Sequence, residues 1–402
     1  MMRSEALVDL DAVRRNVALL RSRTPAEVMA VVKADGYGHG ILPAATAALE
    51  AGASWLGVAF LEEALALRAA GITAPVLSWL AVPGEQLVAG VTADIDLSAG
   101  APWAVAEVVR AARVAGRRAR LHLEFDTGLS RAGAAPAAWA ELLTTAARAA
   151  ASGEIEIVGV WSHFAYADEP GNPTIARQVE GFHAILDLAG SLGVHPTVRH
   201  LANSAATLTL PAAHFDLVRP GIAVYGLSPV PQESTYGLVP AMTLRSHVAA
   251  TRRVPADTGV SYGHAYRTTR ETGLALVPLG YGDGVPRHAG NLGPVLLAGA
   301  RRTVAGRVCM DQFVLDIGDD EVRVGDEVVL FGPGTGGEPT AQDWADAAGT
   351  ISYEIVTRMS ARVPRRYLNQ TPVADGGGAA ADSGGADGGG ADSDRVVGAP
   401  AP

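Results

Sequence analysis

The sequence predicts an α/β protein: an N-terminal (β/α)8 TIM-type barrel followed by a mostly antiparallel β domain. Two observations carry this. From Val28 to Tyr225, short apolar runs alternate with stretches of helical spacing. After Pro240 helical runs become scarce, and strand-like segments punctuated by Gly and Pro take over. The expected bounds are 1–238 for the barrel and 239–369 for the β domain. From 370 to 402 the chain is Gly/Ala/Asp-rich and lacks apolar side chains to bury, so that stretch reads as a disordered tail.

The barrel strands are expected at 28–33, 55–59, 76–80, 94–97, 121–125, 157–162, 198–202 and 217–225. Between several of them lie Ala/Leu/Arg stretches with helical spacing, at 61–70, 105–114 and 137–150. Repeated βα units imply parallel strands joined by right-handed crossovers. About eight such units in succession close a barrel. An open doubly wound sheet is the alternative, but no G-x-G-x-x-G follows the first strand to favour it. In the second half, strands are expected at 243–253, 274–278, 294–297, 303–308, 312–317 and 327–331, with short helices at 342–347 and 352–359.

Composition narrows the function classes. The chain has 402 residues, 48% hydrophobic and 18% charged, enough for a sizeable core. A net charge of −10 lacks the basic footprint that nucleic acid demands. No apolar run reaches the roughly 18 residues a membrane span needs. The first residues carry charges throughout and no apolar h-region, so no signal peptide is expected. Cys309 is the sole cysteine, which excludes an intrachain disulfide and fits a cytoplasmic location. No metal, nucleic-acid or membrane partner is expected.

One count is informative about chemistry. Lys33 is the only lysine among 32 basic residues. A guanidinium stays protonated and is a poor nucleophile, whereas a lysine amine can lose its proton and form an imine. On the count alone, chemistry and chance survival of one lysine are equally good accounts. Its context adds more. Ala30-Val-Val-Lys-Ala-Asp-Gly-Tyr-Gly-His-Gly40 puts Lys33 at the C-terminal end of an apolar strand, where barrels place their chemistry.

Other motifs fall at comparable places. Leu121-His-Leu-Glu-Phe-Asp-Thr-Gly-Leu-Ser-Arg131 ends the fifth strand, and Trp161-Ser-His-Phe-Ala-Tyr-Ala-Asp168 the sixth. His200-Leu-Ala-Asn-Ser-Ala205 and Val218-Arg-Pro-Gly-Ile-Ala223 end the seventh and eighth, where barrels commonly bind phosphate. Asn-Ser before an Ala run reads equally well as a helix cap. The second half holds Gly259-Val-Ser-Tyr-Gly-His-Ala-Tyr266, Pro278-Leu-Gly-Tyr-Gly-Asp-Gly284, Gly306-Arg-Val-Cys-Met-Asp-Gln-Phe313 and Ile351-Ser-Tyr-Glu-Ile355.

Taken together and in this order, these motifs resemble the alanine racemase family over roughly Ala6 to Tyr367. The resemblance implies a pyridoxal 5'-phosphate enzyme of the third structural type, interconverting L- and D-alanine for cell-wall peptidoglycan. It makes Lys33 the cofactor's Schiff-base lysine and one catalytic base. Tyr262 is the opposing base. His163 lies behind the ring. Tyr37, Asn203, Ser204, Gly221, Ile222 and Tyr353 match phosphate-binding positions. Arg219 matches the arginine facing the pyridine nitrogen. A permanently protonated arginine donates to that nitrogen without giving up a proton, which leaves the ring a weaker electron sink and disfavours transamination and decarboxylation. Arg131, Met310 and Tyr281 match substrate-binding positions, with Glu124 and Asp311 in support. Many relatives carry a carbamylated lysine where this chain has Glu124, so a glutamate supplying that anion directly is expected. The segment 289–293 also departs from the usual pattern, with no consequence assigned.

Racemisation removes a proton from one face of Cα and delivers one to the other, so one group is needed on each face. Tyr has an ordinary pKa of about 10, so a basic Tyr262 needs cationic support. The family arrangement supplies it through His163 and Arg219. In the family the tyrosine reaches the site from a second subunit, which implies a homodimer with composite sites. The nearest rivals are another enzyme of this fold, such as a decarboxylase or a broad-specificity racemase. A pyridoxal-phosphate-binding homeostasis protein without turnover is a rival of another class. It would resemble the barrel alone, so the β domain bearing Tyr262 and Met310 argues against it.

Overall fold

Strand β1 (Ser4–Asp9) opens the chain in the computed structural model, whose described residues are 2–370. The predicted tail lies, beyond Gln370, outside them. Helix Leu10–Ser22 follows, capped by Asp9, whose carboxylate accepts from Asp11 N–H at 3.0 Å.

Eight parallel strands come next: β2 (Glu27–Val31), β3 (Trp55–Val58), β4 (Val76–Ser78), β5 (Asp96–Ala99), β6 (Ala119–Glu124), β7 (Ile155–Trp161), β8 (Val198–His200) and β9 (Leu217–Val218). Their order is β8-β7-β6-β5-β4-β3-β2-β9, so neighbours in sequence are neighbours in space except where β9 returns to β2. The ring closes between β8 and β9. Asp216 N–H donates to Arg199 C=O at 3.0 Å and Arg219 N–H to Ala202 C=O at 2.9 Å. The Arg199 guanidinium grips Asp216 through two contacts, at 2.6 and 2.8 Å, and staples the same seam. This is the expected barrel, with helices such as Pro102–Ala115 and Pro173–Ser191 around it.

Alternation along β6 sorts its side chains. Leu121, Leu123 and Phe125 join the large core between strands and helices. Arg120, His122 and Glu124 fall on the other face, toward the barrel axis, at successive levels. Barrel interiors are usually filled by bulky apolar layers, so this polar column is unusual.

The second half is antiparallel, as expected. Its strands are β10 (Met242–His247), β11 (Ala250–Val254), β12 (Gly259–Val260), β13 (Tyr266–Arg267), β14 (Thr272–Val277), β15 (Pro294–Leu297), β16 (Ala300–Thr303), β17 (Phe313–Gly318), β18 (Glu327–Phe331) and β19 (Arg365–Leu368). They form a six-stranded sheet, β16-β15-β18-β10-β1-β19, and a three-stranded sheet, β11-β14-β17. The pair β12–β13 stands apart.

Three details differ from the sequence reading. Strand β1 belongs to the C-terminal sheet, antiparallel to β10 and parallel to β19. The single run expected at 243–253 is two strands in different sheets, broken at Val248 and Ala249. The run expected at 303–308 is mostly loop. Gly306 sits at φ +84°, where a Cβ would approach Val260 C=O to 2.7 Å, so the backbone bends there.

Candidate active site

Lys33 lies just past β2, at the start of a left-handed turn. Ala34, Asp35, Gly36 and Tyr37 have φ of 53°, 53°, 60° and 52°. For L-residues that conformation costs roughly 1–2 kcal/mol each, so the turn needs support. Glu63 supplies part of it: its carboxylate accepts from Ala34 N–H at 2.6 Å, Ala59 N–H at 3.0 Å and Phe60 N–H at 3.1 Å. Asp35 accepts from Ile41 N–H at 2.9 Å. His39 donates from Nδ1 toward the carbonyls of Tyr37 and Gly36. The turn sets the Lys33 amine 5.5 Å from the centre of the Trp79 ring. Burial, and then the Arg131 charge, push the amine below the usual lysine pKa, while Glu63 pulls the other way.

Lys33 borders a cavity of about 350 Å³ at the C-terminal end of the barrel. All nine residues that the sequence assigned to the cofactor line it, together with Arg131. So do Trp79, Trp161 and Thr357, which the sequence reading missed. Trp79 directly follows β4, and a large side chain at the C-terminal end of a barrel strand was the signal available for it. The lining carries three cationic side chains, Lys33, Arg131 and Arg219, and no carboxylate.

The end of the cavity where the sequence reading expects phosphate is built from short pieces. Asn203 caps helix Ser204–Thr209, accepting from Ala206 N–H at 3.1 Å. It therefore serves as a cap and faces the cavity as well. Ser204 Oγ accepts from Gly221 N–H at 2.8 Å, which leaves its own proton to donate. A Cβ at Gly221 would meet the Tyr37 hydroxyl at 2.2 Å, so glycine lets that phenol into the site. Tyr37 packs on Tyr225 at 5.0 Å and lies 6.3 Å from Tyr353. Burial pushes both cavity tyrosines above their ordinary range, so they remain donors.

Arg219 is buried, with Trp161 at 4.9 Å from its guanidinium. It donates to Ser162 C=O at 2.8 Å, to His163 Nδ1 at 3.2 Å and to His200 Nδ1 at 3.2 Å. Burial lowers its pKa to about 9, with Glu124 opposing, so it is still a cation at neutral pH. Arginine can only donate, so both histidines must accept at Nδ1 and carry their own proton on Nε2. Burial and then the Arg219 charge hold both well below the usual histidine pKa, which agrees with neutral rings.

Arg131 follows a turn held by Asp126, whose carboxylate accepts from the N–H groups of Gly128, Leu129 and Ser130 at 2.8 to 3.1 Å. Glu124 stands nearby at the inner end of β6. No hydrogen bond or ion pair joins it to Arg131 among the described residues. Burial raises the Glu124 carboxyl to about 7 against the pull of Arg219 and Arg131.

Tyr262, Tyr281, Met310 and Asp311 are not in this cavity. They gather on the second half of the chain. Tyr281 N–H donates to Cys309 C=O at 3.0 Å, and Gly282 N–H to Met310 C=O at 2.8 Å. Ser261 Oγ contacts Cys309 Sγ at 3.3 Å and donates to Arg307 C=O at 2.8 Å. Asp311 pairs with Arg362 at 2.7 Å. Ser261, at φ +60°, and His264, at φ +47°, flank Tyr262 in a strained turn. Tyr262 is 70% exposed, Met310 53% and Tyr281 38%.

A barrel with this cationic cavity at its strand ends, joined to a β unit carrying an exposed tyrosine cluster, defines an enzyme of barrel-plus-β-domain class. Family models described as alanine racemase N-terminal and C-terminal domains match residues 8–229 and 241–367. The chain is 64% identical over 371 residues to the alanine racemase of Frankia casuarinae, covering 91% of this chain and 97% of that one. It is 63% identical over 373 residues to that of Salinispora arenicola, covering 92% and 100%. The crystal structure of alanine racemase from Streptomyces lavendulae superposes with a TM-score of 0.91 at 56% identity, covering 92% and 98%. The chain belongs to the alanine racemase family, amino-acid isomerases.

Proposed function

We propose that the protein interconverts L- and D-alanine on pyridoxal 5'-phosphate by a two-base mechanism, and so supplies D-alanine for peptidoglycan. One observation carries this reading. The chain's only lysine amine opens into a cavity with three cations, no carboxylate and a cluster of hydroxyl donors at one end. That donor set fits a phosphorylated pyridine aldehyde: an amine for the carbonyl, Ser204, Tyr37 and Tyr353 for the phosphate, and Arg219 for the ring nitrogen. When bound, the cofactor acidifies the substrate's Cα–H.

The chain's own residues do the rest. Lys33, its pKa lowered by burial, takes or returns the proton on one face of Cα. Tyr262 serves the other face. His163 accepts from Arg219 at Nδ1 and offers its Nε2 proton outward, which supports a phenolate arriving there. Arg131 binds the substrate carboxylate, helped by Met310 N–H. Glu124 acts on Arg131 across a gap, as a charge held nearby.

Tyr262, Tyr281 and Met310 are exposed on their own chain, while the Lys33 cavity lacks them. Two chains exchanging these groups would complete two sites, so we read the protein as a homodimer. No helix among the described residues is long and apolar enough to cross a membrane. A cytoplasmic location fits the reading. The test is incubation of the loaded protein with L-alanine in deuterium oxide, followed by chiral analysis. The expected result is deuterium at Cα in both enantiomers. Unlabelled, unchanged L-alanine overturns the reading.

A further inference from the structure

Behind Arg219, the barrel axis holds a line of buried polar side chains that the proposed reaction does not use. Arg219 Nη1 donates to His200 Nδ1 at 3.2 Å. His200 Nε2 lies 2.8 Å from His122 Nδ1. His122 Nε2 lies 3.1 Å from Asp96 Oδ2. Asp96 in turn takes a 2.5 Å contact from Arg120 Nε. His122, His200 and Asp96 are essentially inaccessible to solvent.

We propose that Asp96 and His122 are positioning residues. With His200 they form a one-way hydrogen-bond relay that fixes where Arg219 points its N–H groups. This rests on the reading that Arg219 faces the cofactor ring.

The two ends force the direction. A guanidinium donates only, and an ionised carboxylate accepts only. Between them each neutral imidazole must accept once at Nδ1 and donate once from Nε2. Every ring nitrogen in the line is then used, with none left over. If His122 were charged, it would have no lone pair for His200. The His200 proton would have to sit on Nδ1, against the Arg219 donor. Asp96 is suited to the acceptor end. Burial alone would raise its pKa, but the bonds from His122 and Arg120 hold it below the usual carboxylate range.

The space for the relay is built into the fold. A Cβ at Gly159 would lie 2.1 Å from His122 Nδ1, so β7 needs glycine where the ring crosses the axis. The Trp161 ring lies 5° from parallel to His200 at 5.8 Å, and Trp55 meets His122 edge-on at 5.7 Å. A buried polar line is costly unless every member is satisfied, and when satisfied it specifies a single arrangement. Simple space-filling at these positions is served by Leu or Val.

The test uses the full chain loaded with pyridoxal phosphate and labelled with nitrogen-15 histidine. Long-range proton–nitrogen spectra read which ring nitrogen carries the proton. His122→Gln and His200→Gln assign the two rings. Both should be neutral with the proton on Nε2. A proton on Nδ1 of either ring, or a charged ring, overturns the relay. Asp96→Asn keeps the shape and an acceptor oxygen but removes the charge. The His122 and His200 tautomers should become mixed, and kcat should fall about tenfold with KM changed less than about twofold. Unchanged tautomers and kcat overturn the proposal.

His122→Gln can accept from His200 and donate to Asp96, so it should keep kcat within about threefold. His122→Leu cannot, and should lose more than about tenfold. Equal losses in the two variants overturn the relay. If His122→Leu does not fold, the unmodified protein's spectrum and Asp96→Asn still decide. The tautomers are measured without turnover, and racemisation by the unmodified protein is scored separately. Failure of the relay and failure of the racemase reading are therefore distinct results.

Discussion

Replacing Glu124 with Gln should stabilise the protein at alkaline pH and slow it at the same time. The fold raises this carboxyl from its ordinary 4.5 to about 7, chiefly by burial, with Arg219 and Arg131 opposing. A raised pKa means that the folded chain holds the proton more tightly than the unfolded chain. The stability this lends is fully present below pH 4.5 and is lost as the pH climbs through 7. At about 1.4 kcal/mol for each pH unit between the two values, ionising Glu124 costs the fold about 3 kcal/mol by pH 8. Gln has nearly the same shape and no charge, so it escapes that cost. The stability of Glu124→Gln relative to the unmodified protein should therefore rise by about 2.5 kcal/mol between pH 5 and pH 8 and then level off. Urea unfolding of both loaded proteins at one fixed protein concentration measures it, provided the two slopes agree. A difference that does not change with pH refutes the argument, because Glu124 would then titrate where an exposed glutamate does. Activity should move oppositely. At pH 8 the variant lacks the anion beside Arg131, and kcat should fall about tenfold, a loss added bicarbonate does not repair. At pH 6, where the unmodified carboxyl is already protonated, the gap should narrow. Equal kcat and KM at pH 8 refute a role for Glu124 at Arg131.

Three further outcomes follow from the site. Borohydride reduction of the loaded protein and peptide mapping should find the cofactor on Lys33 alone, and Lys33→Ala should lose the visible absorbance; label elsewhere rejects the assignment. Tyr262→Phe should retain the cofactor and lose most racemisation. Mixed and reassembled with Lys33→Ala it should recover about a quarter of full activity, because half the dimers are hybrids and each hybrid has one intact site; no recovery rejects the shared site. Gly159→Ala should destabilise the protein by several kcal/mol, roughly 3 or more, because its Cβ collides with the His122 ring; a melting temperature within a degree or two of the unmodified protein contradicts the packing.

The barrel was legible because strands buried on both faces read as unbroken apolar runs, as in β2, where only Glu27 is exposed. Strand β1 was not. Its Ala6 and Val8 alternate correctly, but six residues of alternation carry little weight, and the partners lie more than two hundred residues away. The break between β10 and β11 escaped because Val248 and Ala249 look like strand residues. Lys33 stood out by scarcity, and nine of the residues that line its cavity by motif. His122, Asp96 and Gly159 were invisible, since a sequence does not say which alternate residues of a barrel strand face the axis. Tyr262 was visible as a motif, while its exposure on its own chain emerges only in three dimensions.

The placement of β1 has a consequence for biosynthesis. This strand is made well before both of its partners, since antiparallel β10 lies at Met242–His247 and parallel β19 at Arg365–Leu368. At about 5–20 residues per second, β1 waits roughly ten to fifty seconds for its first neighbour and longer for its second. Throughout that time its edges are open to the wrong strands, including those of other nascent chains. The barrel can form as it emerges, but the sheet cannot be completed until nearly the whole described chain has been made. Synthesis of β19, more than barrel closure, therefore sets when this sheet is complete, and a nascent chain stalled before Arg365 leaves β1 with an unpaired edge for chaperones to cover.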